Sequence, residues 1–271
     1  MAEDLGPPEA VLRSFGATEE LVRLAGGKGG TWRAGEVVMK PAEGDDEVRW
    51  RCEILSALPQ TSDFRIARPI RSKEGHWISY GWEATRFVPA QPDPQRVDDV
   101  IRAGEAFHAA VANVPRPSFL DTRSDPWANG EWLAWDGPHR PAGFARRPSG
   151  LLDDLLAIRE DVDLPEQMVH GDLIGNVLFA GQAVPVVIDW AAYWRPPAWA
   201  YAVVVVDAMV WHGFDVMLAR RYEHLPAWGQ MLVRAAVFRL ATWSAAGWSG
   251  EPEEAYRPVV RDVVNLVRGG G

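Results

Sequence analysis

The pattern of hydrophobic and polar positions predicts an antiparallel sheet with a helix in the first third of the chain. The segment 21–41, LVRLAGGKGGTWRAGEVVMKP, has apolar runs on both sides of a glycine-rich turn, which is typical of a hairpin. In 45–59, DDEVRWRCEILSALP, apolar residues recur every three or four positions and Pro59 ends the pattern, so a helix is predicted. A short helix at 9–16 precedes these elements, and strands within 65–88 follow them.

The pattern changes to helices after a proline-rich stretch. Three prolines in 88–95, VPAQPDPQ, discourage regular structure, and helical spacing starts directly after them. We therefore expect two domains, an N-terminal lobe over 1–88 and a larger C-terminal lobe over 89–271. The exception to the helical pattern is 176–190, NVLFAGQAVPVVIDW, where two short apolar strands around Gly181 predict a second hairpin.

The composition favours a globular protein and limits its partners. A chain of 271 residues, 47% of them hydrophobic, is long enough to bury a full core. A net charge of −9 argues against a nucleic-acid partner, because phosphate binding needs clustered Lys and Arg. The longest apolar run, 198–206, is too short to cross a bilayer and predicts a buried helix or strand. The single cysteine, Cys52, excludes an intramolecular disulfide and the first residues lack a secretory signal, so we expect a cytoplasmic protein, monomeric by default, without a membrane partner.

Two groups of residues have alternative interpretations. Six acids lie close together in 151–167, LLDDLLAIREDVDLPEQ, and a solvated helix face with its following loop is favoured over an electrostatic attraction for a cationic substrate. For the tryptophans of RSDPWANGEWLAWDGP, core packing is favoured over the aromatic wall of a ligand pocket. These are Trp127, Trp132 and Trp135.

The first hairpin carries residues suited to nucleotide phosphates. Phosphoryl transfer requires backbone amides and a lysine for the phosphates, oxygen ligands for magnesium, and a carboxylate that orients the attacking hydroxyl. Glycines in a turn let amides approach a phosphate closely, although such turns are more often structural. The turn residues concerned are Gly27, Gly29, Gly30 and Thr31. Lys40 ends the next strand, so the ribbon is able to place its ammonium beneath this turn.

A glutamate of the following helix normally positions such a lysine. Both Glu47 and Glu53 lie on the predicted helix, and spacing alone does not separate their roles. Glu47 is favoured, and each is also compatible with an ordinary surface acid.

Polar residues surround the second hairpin. Asp172 is the candidate for the carboxylate that orients an acceptor hydroxyl. Asn176 and Asp189 stand at the two ends of the hairpin and therefore at one open end of the ribbon, where they offer hard oxygen ligands for magnesium. His170 is expected to brace the loop by hydrogen bonds, and the remaining histidines have no metal-ligand spacing.

These candidates stand in motifs that also occur together in a known family. His170-Gly-Asp172 with Asn176, followed by VIDW ending at Trp190, resembles the HGD...N and IDW signatures of the aminoglycoside phosphotransferase and choline kinase-like family, small-molecule relatives of protein kinases. VVMKP resembles its nucleotide-lysine strand, GWEATRFVPA its hinge strand, and AGEAFHAAV its first large-lobe helix with an embedded histidine, here His108. Each motif is weak alone, but the set covers most of the chain.

The resemblance implies a fold, an activity and roles for the candidate residues. The implied fold is α+β, a bilobal protein-kinase-like fold with a small N-lobe of antiparallel sheet plus helix and a larger, mainly helical C-lobe. ATP or GTP would be the phosphoryl donor and Mg²⁺ the cofactor. By the same resemblance, Lys40 would contact the α and β phosphates, Asp172 would orient the acceptor, and the metal would be held by Asn176 and Asp189. The backbone groups that would meet the base are those of Arg86 and Val88.

The catalytic loop departs from the family pattern by one residue. The family usually has four residues between the Asp and the Asn, whereas Asp172 and Asn176 are separated by three. The interval of 13 residues from Asn176 to Asp189 is the usual one, so the missing residue lies inside the loop, where Gly175 permits a tighter turn. The shortened loop is similar to that of an uncharacterised branch of the superfamily.

Two further departures concern single positions. Ala200 stands where relatives often carry an acid at the start of the helix that follows Asp189. Asp207 is a candidate for the bracing role of that acid, with a local cap or hydrogen bond favoured. Ala90 stands where the hinge turn commonly has glycine.

The favoured function is a kinase that transfers a phosphoryl group to a hydroxyl of a small molecule. The alternatives are a pseudokinase that binds nucleotide without turnover, and a metal-assisted hydrolase of unrelated fold using Asp172, Asp189 and His170. Region 110–167 is expected to form much of the acceptor pocket, although a fold does not specify its acceptor. Besides its tryptophans, the region has acids that suit a partly apolar or cationic acceptor, namely Asp121, Asp125, Glu131 and Asp136.

Overall fold

The computed structural model describes residues 6–24, 29–136, 149–247 and 252–269. By its internal packing the chain divides into two units, Met1–Gln91 with Leu178–Ile188, and Pro92–Val177 with Asp189–Gly271. The main division falls three residues after the predicted lobe boundary. Among the described residues, each helix is too short or too polar to span a membrane.

The elements up to residue 92 are α1 Glu9–Phe15, β1 Leu21–Arg23, β2 Trp32–Ala34, β3 Val37–Pro41, α2 Asp45–Ala57, β4 Arg65–Ile66, β5 Pro69–Ile70, β6 Ile78–Ser79, β7 Trp82–Arg86 and β8 Gln91–Pro92. The elements after it are α3 Val97–Val111, a 3₁₀ helix Ser118–Asp121, α4 Pro126–Trp135, α5 Gly150–Leu156, β9 Gln167–His170, β10 Val177–Phe179, β11 Val186–Val187, β12 Ala192–Arg195, α6 Pro197–Trp211, α7 Val216–Arg221, α8 Trp228–Ala246 and α9 Pro252–Gly269. The predicted α+β class is confirmed.

The first unit is built on an antiparallel sheet of order β1-β2-β3-β7-β5, with β6 paired to β7. The predicted hairpin is in fact three strands, because β2 turns into β3 through Gly35, whose φ is +58°. On β3, Val37 and Met39 are buried and pack with Val11 and Phe15 of α1. Since side chains alternate along a strand, Lys40 points to the opposite face of the sheet.

The predicted helices of this unit are present, and each ends where the sequence signals it. α1 ends at Gly16, whose φ of +69° gives the left-handed cap that glycine favours. α2 ends before Pro59 and buries Val48, Cys52 and Leu55, the apolar residues at helical spacing. Single residues, Gly16 and Pro59, therefore predicted where the two helices end.

A second small sheet contains the other predicted hairpin. β11 lies between β10 and β4, and it pairs with β4 in parallel, Val187 opposite Ile66. The predicted strands of 176–190 are thus confirmed. β11 also pairs with β4, which lies more than a hundred residues earlier in the first unit. The segment 178–188 therefore belongs to that unit.

The second unit is mainly helical around α6 and α8. α6 is buried almost throughout, so the run 198–206 forms a helix although four consecutive valines favour a strand. Burial on all sides overrides the weak intrinsic preference of β-branched residues. Helix α4 packs closely on α8 at Gly130, where a Cβ would overlap the Phe238 carbonyl and Thr242.

One strand pair of the second unit is not predicted by the sequence pattern. β9 pairs with β12 in antiparallel orientation, His170 opposite Ala192. The prediction that this part of the chain is helical outside the hairpin is wrong here, because two strands of four residues are too short to show a period.

Candidate functional site

The loop after β9 brings Asp172 and Asn176 together. The amide of Asn176 donates to the Leu173 carbonyl at 2.9 Å, and Gly175 has a φ of +85°. A positive φ at the third residue of a hydrogen-bonded turn is the geometry of a type II turn, which favours glycine. The Asn176 side-chain amide then donates to the Asp172 backbone oxygen at 2.7 Å and to its carboxylate Oδ2 at 3.2 Å. Asp172 and Asn176 are therefore in direct hydrogen-bond contact across the turn.

The orientation of Asn176 matches a metal ligand. Its Nδ2 is occupied by Asp172, so its Oδ1 is the atom that remains for a cation. Oxygen from an amide and a carboxylate, completed by phosphate and water, is the donor set that Mg²⁺ uses. Among the described residues there is no group of three His, Cys, Asp or Glu that could hold a metal by itself.

Asp189 stands directly after β11 in a rare backbone conformation. Its φ is +50°, and its side chain is exposed. A non-glycine residue in the left-handed region costs energy that the surrounding structure must supply, and such residues cluster at functional sites. This conformation supports a functional role for Asp189, while the metal role itself stays a prediction.

Two buried histidines hold the start of the loop. The His170 amide donates to His108 Nε2 at 2.9 Å, and His108 Nδ1 lies 3.1 Å from the Tyr201 hydroxyl. Burial lowers the pKa of His108 to about 3, with His170 acting in the same direction, so the ring is neutral. His170 Nδ1 in turn accepts from the Asp172 amide at 3.2 Å. The expected bracing role of His170 is what these contacts provide.

Gly171 is required by packing. A Cβ at this position would overlap the ring of Tyr193 and lie 3.2 Å from Trp199. Both rings are fully buried, at 1% and 0% exposure, so they have little room to move. The middle residue of the HGD motif therefore lets the loop lie directly on the core.

Arg239 of α8 links Asp172 to a buried carboxylate. Its Nη2 donates to Asp172 Oδ1 at 2.6 Å, and its Nε donates to both oxygens of Asp207 at 2.9 and 3.1 Å. Burial opposes the charge on Arg239, but Asp207 and Asp172 outweigh it and raise the pKa of the guanidinium well above its usual value. The expectation that Asp207 caps or bonds locally is wrong, since its partner lies 32 residues away on another helix.

In the first unit, Glu83 places a carboxylate beside Lys40. The two residues are opposite each other on β3 and β7, and Lys40 Nζ lies 3.7 Å from Glu83 Oε1. Glu83 is 3% exposed and accepts two bonds from Arg51 Nη2, at 2.6 and 2.8 Å. The sequence analysis missed Glu83, although Lys40 and Glu83 become opposite residues once the two strands are aligned.

Glu47 and Glu53, the two glutamates predicted to position Lys40, lie on α2 as expected and contact other residues. Glu47 Oε1 is 3.9 Å from Arg51 Nη1, one turn further along the helix. Glu53 is exposed, and its backbone oxygen accepts from the Ser56 hydroxyl. A role for either in nucleotide binding stays a prediction.

The glycine-rich turn joins β1 to β2. Gly27 lies outside the described residues. The Thr31 carbonyl accepts from Leu24 at 2.9 Å, Gly29 has a φ of +80°, and its carbonyl accepts from the Arg23 guanidinium. A Cβ on Gly30 would lie 3.4 Å from the Pro41 ring, so Gly30 packs against the end of β3.

The predicted hinge begins where β7 ends. The Arg86 amide donates to the Arg68 carbonyl at 2.8 Å, and the Phe87 amide donates to the Glu36 carbonyl at 2.9 Å. The Val88 carbonyl accepts from the Ala90 amide at 2.8 Å, so alanine serves where glycine was expected. Within the part of the chain that the structure describes, the Val88 amide donates to no protein acceptor, and this leaves it for a base.

The acids of the expected acceptor region are paired with arginines. Glu131 lies 2.9 Å from Arg195 Nη2, and Asp125 caps α4 while lying 3.1 Å from Arg123 Nε. The remaining pairs are Asp121 with Arg116 and Asp136 with Arg159. These carboxylates are neutralised within the protein, which disfavours them as a cation site.

The tryptophans of the same region, Trp127, Trp132 and Trp135, are half-buried and not exposed. The guanidiniums of Arg195 and Arg234 lie 5.1 and 4.7 Å from the centroid of the Trp135 ring, which also meets Trp199 edge-on. Packing, the favoured interpretation, accounts for Trp135. The acids of 151–167 likewise follow the favoured interpretation, since α5 buries its leucines and leaves Asp154 exposed.

The fold is similar to that of several solved phosphotransferases. A thermostable mutant of aminoglycoside phosphotransferase APH(4)-Ia, in a complex with ADP and hygromycin B, aligns over 96% of this chain and 97% of its own, with a TM-score of 0.60 and 15% identity. A choline/ethanolamine kinase family protein from Mesorhizobium loti aligns over 94% of both chains, with a TM-score of 0.52 and 19% identity. Choline kinase LicA from Streptococcus pneumoniae aligns over 91% and 94%, with a TM-score of 0.56 and 10% identity.

The chain has the fold of these small-molecule phosphotransferases. The kinase-like fold implied by the sequence motifs is thereby confirmed over nearly the whole length. Neither protein-family models nor curated protein sequences give a match. At identities this low the similarity establishes the fold, and the activity has to be argued from the residues.

Proposed function

We propose that the protein is a phosphotransferase that uses ATP or GTP with magnesium and acts on a hydroxyl of a small molecule. The observation that carries the proposal is the loop after β9, which holds Asp172 and Asn176 in hydrogen-bond contact on a phosphotransferase fold. Asp189, with its left-handed backbone, supplies the second expected ligand. A chain that had lost phosphoryl chemistry would have no physical need for all three.

Each residue has a role that its surroundings support. Lys40, on the face of the sheet opposite α1 and held near Glu83, would contact the donor phosphates beneath the glycine-rich turn. The Val88 amide would donate to the base. Asp172 would accept a hydrogen bond from the acceptor hydroxyl and align its oxygen for attack. Magnesium, held by Asn176 and Asp189, would supply charge neutralisation for the transferring phosphoryl group.

A neutral acceptor is favoured over a cationic one in this proposal. The four acids expected to attract a cation each lie beside an arginine. We also propose a cytoplasmic location, since a single cysteine, Cys52, excludes an intramolecular disulfide.

The first test is a thermal-shift titration with ATP and with GTP, each with and without magnesium. We expect magnesium-dependent stabilisation of the wild type, because a ligand at 100 times its Kd stabilises the folded state by about 2.7 kcal/mol. The shift should vanish in Asp189→Ala and persist in Asp163→Ala, an exposed acid that serves as the matched control.

The outcomes separate the alternatives. A magnesium-dependent shift justifies a screen of hydroxyl compounds for ADP or GDP release. A shift without release against any acceptor would favour the pseudokinase. No shift with either nucleotide at millimolar concentration would contradict both nucleotide-binding functions.

A further inference from the structure

We propose that Arg239 is a positioning residue for Asp172, and that Asp207 acts on the catalytic loop through Arg239. The inference rests on the proposed function for its kinetic consequence, but its structural basis is independent of it. Three side chains from the loop, α8 and α6 form one continuous set of charge-assisted hydrogen bonds.

The first step of the argument is that both oxygens of Asp172 are held from different elements. Arg239 Nη2 donates to Oδ1 at 2.6 Å, and Asn176 Nδ2 donates to Oδ2 at 3.2 Å. A carboxylate with a donor at each oxygen cannot rotate without losing one of them. The Asp172 side chain is 42% exposed, so packing alone does not fix it.

The second step is that Arg239 is itself fixed by Asp207. The side chain of Arg239 is 13% exposed and that of Asp207 is 4% exposed, and the bonds between them include the Nε and Nη2 of the same guanidinium. A planar guanidinium bound by a carboxylate through two nitrogens has a defined orientation. The second hydrogen of Nη2 is therefore directed at Asp172 by a partner inside the core.

The third step is the position of Asp207 in the fold. Asp207 lies in the buried part of α6, and its carboxylate is joined to Asp172 through Arg239 of α8. Two helices therefore supply the acid and the arginine that reach the loop.

The test must separate positioning from stability. Arg239→Met alone would leave Asp207 buried without a partner, so the informative variant is Asp207→Leu with Arg239→Met, because replacing a whole buried ion pair by apolar residues is often neutral. Arg239→Lys keeps the charge, and Arg220→Met on the exposed surface of α7 is the control. Asp172→Asn defines the loss of the carboxylate itself.

The kinetic arm measures ADP release from MgATP with water as the acceptor. We expect the double variant to lose kcat by about 10²-fold, as misplacement of a catalytic group by about 1 Å does, with KM for ATP within about twofold. Arg239→Lys, which keeps the charge but not the planar fork, should recover only a small part of the loss, and Arg220→Met should match the wild type. A double variant with wild-type kcat, alongside an inactive Asp172→Asn, would overturn the inference and leave the proposed function intact.

The structural arm does not depend on turnover. In a crystal structure of the double variant, the Asp172 carboxylate should leave Asn176 Nδ2. If Asp172 keeps its position and its 3.2 Å contact, Arg239 does not position it, whatever the kinetics. If wild type and Asp172→Asn release ADP equally slowly, the proposed function fails, and the crystal structure still decides the role of Arg239.

Discussion

At the residue scale, the sequence identified groups of the right chemical type but not the groups that hold them. Asp172 and Asn176 were found from their spacing, and the structure joins them by hydrogen bonds. Glu83 and Arg239 were missed, because their contacts depend on strand register and on helix packing over 43 and 67 residues. No local pattern encodes such separations.

Gly171→Ala is expected to destabilise the protein by about 1–3 kcal/mol, the usual cost of overpacking a core. The added methyl group would overlap the buried ring of Tyr193, so either the ring or the loop must shift. Chemical denaturation of both proteins measures the difference. The control is Gly150→Ala, where a Cβ meets nothing within 4 Å; a comparable loss in that variant would contradict the packing argument.

At the element scale, well-marked elements were predictable and very short ones were not. The helices α2 and α3 and the second hairpin follow from spacing, proline and glycine signals. The strands β9 and β12 have four residues each and gain their stability from pairing with each other. Pairing is a property of two segments, so neither segment predicts it alone.

Substitution of three glutamates tests which of them is the partner of Lys40: Glu83 on β7, or Glu47 and Glu53 on α2. Glu83→Gln should lower the affinity for MgATP and destabilise the fold by about 3–5 kcal/mol, the cost of breaking a buried ion pair, because Arg51 loses its charged partner. Glu53→Gln, at an exposed position, should change stability by less than about 1 kcal/mol. Glu47→Gln, at a side chain that is 19% exposed and lies 3.9 Å from Arg51 Nη1, should cost more than Glu53→Gln and less than Glu83→Gln. Isothermal calorimetry and denaturation measure both effects. If Glu47→Gln weakens nucleotide binding more than Glu83→Gln, the helix glutamate is the functional partner of Lys40.

At the scale of the whole molecule, the buried neutral His108 makes stability depend on pH. The pKa of His108 is 6.5 when the chain is unfolded and about 3 when it is folded, so below pH 6.5 the unfolded state binds the proton first. Stability from this group is present above pH 6.5 and is lost as pH falls toward 3, by up to about 1.4 kcal/mol per pH unit.

His108→Gln tests this dependence, because glutamine keeps an acceptor for the His170 amide but does not titrate. The unfolding free energy of the variant, measured by denaturation between pH 6.5 and 4, should fall less steeply than that of the wild type. Equal slopes would mean that other groups control the acid sensitivity.

The location of Glu83, the neighbour of Lys40, affects how such a protein could be regulated. In protein kinases the corresponding glutamate is on a helix, and movement of that helix makes or breaks the pair. Here Glu83 lies across a ladder of backbone hydrogen bonds from Lys40, so the contact forms when the two strands pair. A displacement of α2 would remove the bonds from Arg51 to Glu83, but Lys40 and Glu83 would remain opposite each other on the paired strands. If Lys40 contacts the donor phosphates as proposed, its contact with Glu83 would depend on the pairing of β3 with β7 and not on the position of α2.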